Sequence, residues 1–444
     1  MKTGGEAGPP AYIDVDRLID EGRWSGLQRF VFFAIMIVFL VEGLDNQVMG
    51  TVLPALAHDW RQPAHAFATA LAFGWAGAGV GTIAGGYFGD RFGRKPALIG
   101  SLLLFGLPAI ATVFVHDIAT LSVLRLIAGM GLGACDPSAL ALLTEFAPRR
   151  RQGRAIASAL VVSLIGLGAC GLIASLVLPT SGWRAMFLIV GVTPVAWAIV
   201  LMFTMAESPR HLAKLPARRP AFIALLRRLG HTVADDARVL APEGPVLSPV
   251  SALFSRPQLP STLCLWTGFM FAFLASGAVF SWAPTMMARA GLGMAGAGEA
   301  TLAQSIGGIF GTMLAGPLTE RLGGVRSTQL FALAAAIGAA ILMAAMAVHL
   351  SHPILLPVLL ALEGGLLSGV MTSLFGSAAQ IYPSGSRASG IGFAGALGRV
   401  GAILSSYAGV WAYEAAGGPG LFAIPLCASG SVLAAMLMLQ KKAR

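Results

Sequence analysis

Long apolar stretches constrain this chain more than any other feature, because they recur along almost its whole length. Twelve can be marked, and in chain order they cover residues 30–54, 66–88, 97–115, 118–142, 155–178, 184–206, 260–287, 299–318, 328–348, 353–376, 389–411 and 417–439. Each is close to the roughly 20 residues that a helix needs to cross a bilayer. Only 11% of the residues are charged, against roughly 25% in a soluble domain. We therefore predict an all-α membrane protein with twelve transmembrane helices.

The basic residues indicate how these helices are oriented. Of the 30 Lys and Arg residues, Arg61, Arg184 and Arg289 fall on one side of the predicted membrane, and Arg125 and Arg399 fall inside helices. The other 25 fall on the opposite side, at the termini, between segments six and seven, or in the loops on the side of the termini. Lys and Arg concentrate in cytoplasmic loops, so we predict an inner-membrane protein with both termini in the cytoplasm. This bias accounts for the net charge of +10 without a nucleic-acid partner.

A polar, Arg-rich stretch divides the apolar segments into two sets of six. We predict an amphipathic cytoplasmic N-terminus at 1–29, a six-helix half at 30–206, a cytoplasmic linker at 207–259, a second half at 260–439 and a cytoplasmic tail at 440–444. The halves also repeat, because residues 86–93 align with residues 316–323 at an offset of 230. Two parallel repeats joined by a linker are a transporter architecture.

Ionisable residues inside the predicted helices are the first candidates for function, because a charge at that depth costs at least a few kcal/mol. We interpret four acids as candidate proton-coupling residues: Glu42, Asp45, Asp136 and Glu363. Glu42 and Asp45 lie at i and i+3 on one helix face, where burial and repulsion oppose the ionisation of both. The alternatives are a structural pair in helix one that is hydrogen-bonded to a neighbouring helix, and a helix-break cap at Asp136, which precedes Pro137.

Two buried arginines are the candidate substrate-binding cations. Arg399 lies among glycines in helix eleven, and a guanidinium binds a carboxylate through two parallel hydrogen bonds. Its alternative role is to pair with Glu363. Arg125 has Asp136 on its own helix and the acids of helix one within reach. The aromatic residues expected to contact a substrate ring are Trp75, Phe273 and Tyr407.

A charged turn follows segment two. Its glycines permit a tight turn, and Asp90 can accept hydrogen bonds from basic groups or a helix N-terminus. We predict a conformational latch formed by Asp90, Arg91 and Arg94, with Glu320 and Arg321 at the equivalent positions of the second half. The alternative is a solvated loop that only anchors the topology.

The same turn resembles the loop between helices two and three of the major facilitator superfamily. The matching pattern is Gly86-x-x-x-Asp90-Arg91-x-Gly93-Arg94-Lys95, and the stretch from Arg125 to Gly133 is similar to that family's helix-four motif. The resemblance covers the whole chain. It implies the major-facilitator fold, with two six-helix halves around a central cavity.

Further stretches resemble the aromatic acid:proton symporter branch of that superfamily. They are Glu42-Gly-Leu-Asp45, residues 144–151, and residues 382–384 with 387–390. Glu42 stands where the branch usually has Asp. Glu145, in the second of these stretches, is a further residue of the predicted latch. The resemblance implies proton-coupled uptake of an aromatic carboxylate such as a hydroxybenzoate, by a monomer whose partners are the acid, protons and the lipid bilayer.

The sequence lacks the motifs of ATP-driven transporters, metal-binding proteins and hydrolases. The sequence contains no Walker A pattern for ATP, no paired Cys or His-Glu-x-x-His pattern for a metal, and no hydrolase arrangement. We therefore predict neither an enzyme nor a cofactor. Within helix five, the stretch from Gly166 to Gly171 lacks the proline that the superfamily's antiporters usually carry there, which favours uptake. A symporter of another organic anion, such as a sugar acid or dicarboxylate, and a proton-driven exporter remain the alternatives.

Overall fold

The computed structural model describes most of the chain. The described residues are 12–13, 18–20, 24–231, 238–239, 253–289, 293–348, 352, 354–382 and 387–443. Nearly all of them are helical, so the backbone hydrogen bonds are satisfied within each helix, as a lipid environment requires.

Five helices form the first half of the bundle. They are α1 (Gly26–Asp59), α2 (Ala68–Phe92), α3 (Arg94–Thr112), α4 (Ile118–Phe146) and α5 (Arg149–Thr204). A capping box at Ser25 and Gln28 begins α1. α5 is interrupted at Gly182, whose φ of 71° is open to glycine at little cost, so α5 supplies two spans.

Two short helices follow this half, α6 (Pro209–Ala213) and α7 (Arg219–Arg228). α7 buries one apolar face, which is formed by Phe222, Ile223, Leu225 and Leu226. These side chains pack with the nearby ends of the first-half helices in one apolar cluster.

The N-terminal segment is joined to this region. The two-residue strands β1 (Tyr12–Ile13) and β2 (Arg238–Val239) pair in parallel. The Asp20 carboxylate also accepts a hydrogen bond of 2.6 Å from the backbone nitrogen of Arg149. The predicted cytoplasmic segment at 1–29 and linker at 207–259 lie partly outside the described residues.

Five helices form the second half. They are α8 (Leu259–Met287), α9 (Gly293–Leu322), α10 (Gly324–Ala347), α11 (Leu355–Ile381) and α12 (Arg387–Ala443), which is interrupted at Ala416 and Gly417. In the described part of the chain, nine helices are long and apolar enough to cross a membrane. Two of these, α5 and α12, hold two spans each, and the less apolar α9 brings the spans to twelve. The predicted twelve-helix fold is confirmed.

The internal repeat has the same packing in both halves. Gly77 of α2 lies against the backbone carbonyl of Leu126 on α4, and Gly307 of α9 lies in the same way against Ala361 on α11. A side chain at either glycine would collide with the facing backbone. The repeated glycines therefore permit the close helix contacts that hold each half together.

Among the described residues, the two halves meet tightly at the end of the bundle away from the termini. At the end away from the termini, Gly171 of α5 packs on Gly298 of α9, and His65 Nδ1 lies 2.6 Å from Glu414 Oε1. Nearer the end that carries the termini, Gly392 of α12 lines the space between the halves and has no neighbouring helix packed on it. The bundle is therefore closed at one end and open at the end that carries the termini.

Candidate functional site

A cavity of about 490 Å³ lies between the two halves. Helices α1, α2 and α4 line it from the first half, and α8, α11 and α12 line it from the second. The charged residues among its lining are Glu42, Asp45, Arg125, Asp136 and Arg399. The structure thus brings together all but one of the charges predicted inside the membrane.

Glu363 is the exception. It is fully buried inside the second half, and one of its oxygens lies against Gly338 of α10 rather than in the cavity. Neither carboxylate oxygen has a hydrogen-bond partner among the described residues. The alternative pairing of Glu363 with Arg399 is therefore wrong, because the two side chains lie on different faces of the second half.

Arg399 reaches from α12 across the cavity toward the first half. Its Cδ lies 3.6 Å from the position that a side-chain carbon would occupy at Gly79 of α2. Its guanidinium interacts electrostatically with Asp136 and Glu42, both of the first half. No carboxylate of the described residues lies within ion-pair distance of it. The guanidinium is thus near two acids but paired closely with neither.

Arg125 has a different environment. Its Nη1 lies 3.7 Å from Asp45 Oδ1, and both side chains are almost completely buried. Its guanidinium also lies 5.0 Å from the centre of the Phe187 ring, a cation–π contact. Of the acids within predicted reach, Asp45 is thus the one that pairs with Arg125.

Glu42 and Asp45 share a helix face but have different neighbours. Glu42 Oε2 accepts a hydrogen bond of 3.0 Å from Ser163 Oγ on α5. The glycine that follows Glu42 makes this approach possible, because Gly43 packs directly on the Ser163 backbone carbonyl. Glu42 thus interacts with Asp136 and Arg399 as well as with Asp45, whereas Asp45 pairs with Arg125.

Aromatic rings line the cavity from both halves. Trp75 of α2 and Phe273 of α8 lie where the sequence analysis expects them, and Phe375 of α11 is an additional lining residue. Tyr407 does not line the cavity; its ring packs 6.2 Å from that of Trp411. The predicted contact of Tyr407 with substrate is therefore not supported, because this part of α12 lies beyond the cavity.

The predicted latch residues cluster at the open end of the first half. Arg94 pairs with Asp90, and its Nε lies 4.0 Å from Glu145 Oε1 on α4. Arg91 donates a hydrogen bond of 2.7 Å to the Tyr87 hydroxyl. In the second half, Glu320 and Arg321 lie exposed at the end of α9.

Glu207 completes this cluster, and the sequence analysis missed it. Its Oε1 accepts hydrogen bonds from the backbone nitrogens of Arg94 at 3.0 Å and Lys95 at 3.1 Å, which cap the start of α3. The next residue, Ser208, donates to Glu145. An acid followed by Ser and Pro directly after an apolar segment is the available signal, but it does not indicate which helix the acid caps.

Within the described residues, no group of three or more His, Cys, Asp or Glu is placed to hold a metal ion. Of the acids that line the cavity, Asp45 is paired with Arg125, and Glu42 and Asp136 face the guanidinium of Arg399. The arrangement can bind an organic anion and carry a proton on a carboxylate.

The sequence profile described as the Major Facilitator Superfamily matches residues 35–352. The chain belongs to the major facilitator superfamily. It is similar to the gallate transporter of Pseudomonas putida, with 31% identity over 90% of this chain and 89% of that protein. It is also similar to the 4-hydroxybenzoate transporter PcaK of Pseudomonas aeruginosa, with 29% identity over 89% of each chain. The resemblance to the aromatic-acid branch is confirmed.

Among solved structures, the xylose transporter XylE from E. coli has the same fold. The TM-score is 0.71, with 16% identity over 94% of this chain and 98% of that one. By its family and its transporter relatives, the chain is a multi-pass membrane transporter and not an enzyme, as predicted.

Proposed function

We propose that this transporter takes up an aromatic carboxylate, such as a hydroxybenzoate, together with protons by alternating access. The observation that carries the proposal is the position of Arg399, which faces Glu42 and Asp136 across a cavity lined by aromatic rings. The similarity to a gallate transporter and a 4-hydroxybenzoate transporter supports the same substrate class.

The carboxylate of the substrate binds to the Arg399 guanidinium. An anion that leaves water needs a charged partner, and the planar guanidinium can donate two parallel hydrogen bonds to it. Gly395, one turn before Arg399, lines the cavity and leaves the backbone accessible. The ring of the substrate then contacts Trp75 and Phe273, one from each half.

Proton coupling follows from the two acids near Arg399. If Glu42 and Asp136 are both ionised, these two acids and Arg399 together already carry one more negative charge than positive. A substrate anion would add another in a poorly solvated site, which is costly. A proton on one of these acids removes that excess, and a proton on the other leaves the positive charge of Arg399 to balance the substrate anion. Substrate and protons therefore favour each other's binding, and the carrier with both acids protonated and the substrate bound reorients without uncompensated charge.

The remaining acids have secondary roles in this scheme. Asp45 is already compensated by Arg125, so it positions α1 against α4. Glu363 lies outside the cavity.

The termini lie in the cytoplasm of a cell with an inner membrane, so the open end of the cavity faces inward. A single chain contains the complete site, so a monomer suffices.

The test is transport by the purified protein in liposomes. Labelled 4-hydroxybenzoate should accumulate when the outside is more acidic than the inside and should only equilibrate without a gradient. Excess benzoate should inhibit this uptake, whereas a sugar acid or an aliphatic dicarboxylate should not. Accumulation driven by the opposite gradient would indicate an exporter, and inhibition by the aliphatic acids alone would indicate a different anion.

A further inference from the structure

The cavity has a second polar end, at a distance from Arg399. Its lining follows α1 from Glu42 to Gly50, about 12 Å along the helix axis. At the far end Gly50 packs on the backbone of Ser281 on α8, where the two halves close. A ligand anchored at Arg399 would therefore extend toward this closed end.

Asn46 of α1 is exposed to the cavity in this region. It lies four residues after Glu42, hence on the same helix face and about 6 Å further along the axis. Within the described structure its amide has no hydrogen-bond partner, whereas its neighbours are engaged. Gln47 donates to the Phe280 carbonyl at 2.7 Å, and Asp45 pairs with Arg125. Asn46 thus offers an unused donor and an unused acceptor to the cavity.

Ser281 contributes a second hydroxyl-binding group from the other half. It lines the same cavity and is 8% exposed, and its hydroxyl makes no hydrogen bond to any described residue. A hydroxyl group both donates and accepts, so it matches an amide and a serine hydroxyl together. The two residues lie on opposite sides of the interface between the halves.

We infer that Asn46 and Ser281 form a subsite for a ring hydroxyl group, so that the carrier prefers benzoates hydroxylated at the 3- or 4-position. The inference rests on the proposed function, with the substrate carboxylate at Arg399. Arg399 interacts electrostatically with Glu42, and Asn46 lies about 6 Å beyond Glu42 along α1. That separation is comparable with the distance from the carboxyl carbon to the 4-oxygen of a hydroxybenzoate. A 2-hydroxyl group remains beside the carboxylate and cannot reach Asn46.

The preference is a moderate one. Both groups face a cavity wide enough for water, so binding benzoate leaves them hydrated rather than stranded. One hydrogen bond between neutral groups then changes affinity about two- to tenfold.

The experiment compares the affinities of benzoate, 2-hydroxybenzoate and 4-hydroxybenzoate for the purified, full-length protein. Asn46→Leu and Ser281→Ala should each weaken 4-hydroxybenzoate binding about two- to tenfold and leave the other two acids nearly unchanged. Thr82→Val is the matched control. Thr82 also lines the cavity, but its hydroxyl is already bonded to the Ala78 carbonyl at 2.9 Å, so all three affinities should stay the same.

Several results would overturn the subsite. One is an equal loss of affinity for all three acids in Asn46→Leu and Ser281→Ala. Another is a wild-type protein that binds benzoate as tightly as 4-hydroxybenzoate, and a third is a Thr82→Val protein with the same affinity changes as Asn46→Leu. The proposed function survives each of these, because the wild type still binds aromatic acids. A wild type that binds none of the three would overturn the proposed function as well. If Asn46→Leu does not fold, Ser281→Ala gives the same readout.

Discussion

At the scale of single residues, the two buried arginines differ in what surrounds them. Arg125 has an acid at 3.7 Å and an aromatic ring beneath it, whereas Arg399 interacts with two acids at longer range. A guanidinium that is already paired must lose its partner before it binds a second anion. Arg399 is therefore the cation better placed to receive a carboxylate.

Two substitutions of Arg399 should show how much of the substrate affinity depends on its charge and how much on its planar guanidinium. Arg399→Ala removes a charge-assisted bond worth roughly 1.5–3 kcal/mol, so benzoate binding should weaken about tenfold to a hundredfold. Arg399→Lys keeps the charge but loses the planar fork, and we expect an intermediate loss. Affinity for the uncharged amide of the same acid, measured by competition, should change much less. Equal losses for acid and amide would mean that Arg399 maintains the fold instead.

Glu42 and Asp45 should also differ when their charges are removed. Glu42→Gln removes a proton site, so exchange of labelled for unlabelled substrate should continue while uphill accumulation under a proton gradient disappears. Asp45→Asn instead strands the buried Arg125, and losing one partner of such a pair costs roughly 3–5 kcal/mol. Its thermal unfolding midpoint should fall, and the double change Asp45→Asn with Arg125→Gln should restore part of it.

Two outcomes would contradict this division of roles. Uphill accumulation by Glu42→Gln would transfer proton coupling to Asp136. A stable Asp45→Asn protein that exchanges but no longer accumulates substrate would make Asp45 the coupling residue.

At the scale of helices, one cluster joins three elements at the open end of the first half. Glu207, which follows α5, caps the start of α3, and Ser208 beside it binds Glu145 at the end of α4. The helix N-terminus carries a partial positive charge, so a carboxylate there is favourable. Asp90, by contrast, is 70% exposed, and exposed ion pairs contribute little to stability.

Glu207→Gln should therefore lower stability by about 1 kcal/mol, because it removes the charge from the cap of α3. Asp90→Asn should leave the unfolding midpoint nearly unchanged but slow exchange, because the latch loses its charge. Thermal unfolding in detergent and initial exchange rates in liposomes measure the two effects. Glu320→Gln removes the exposed acid at the equivalent position of the second half and tests whether the latch operates in both halves. Wild-type rates in Asp90→Asn would reduce that loop to a topological anchor.

At the scale of the whole molecule, the contacts between the halves are concentrated at one end. Gly50, Gly171 and Gly298 permit close backbone approach there, and the His65–Glu414 contact joins the halves at the surface. The other end is open to the cavity. The direction in which the cavity faces therefore depends on which side of the membrane holds the termini.

Labelling with a membrane-impermeant maleimide tests that orientation. Lys214 and Glu414 are both exposed, at opposite ends of the bundle. In a background with the exposed Cys427 replaced by Ser, Glu414→Cys should react in intact cells, and Lys214→Cys only after permeabilisation. Both side chains are exposed, so each substitution should be tolerated. Reaction of both from the same side would refute the predicted topology.

The sequence by itself determined the spans, the repeat and the buried charges that are candidates for function. Apolar length and the placement of Lys and Arg are local properties, and they act on each helix separately as it meets the bilayer. Buried charges such as Arg125, Asp136 and Arg399 also stand out locally, because lipid excludes them. The cavity therefore contains most of the charges that the sequence singles out.

Only the tertiary structure decided which of these residues meet. Spacing along a helix defines the face of a residue but not the helix that lies opposite, so the neighbours of Arg399 proved to be Asp136 and Glu42 and not Glu363. The same reason placed Tyr407 outside the cavity and brought Glu207 to the start of α3. Such contacts depend on how whole helices pack, which is a property of the assembled bundle.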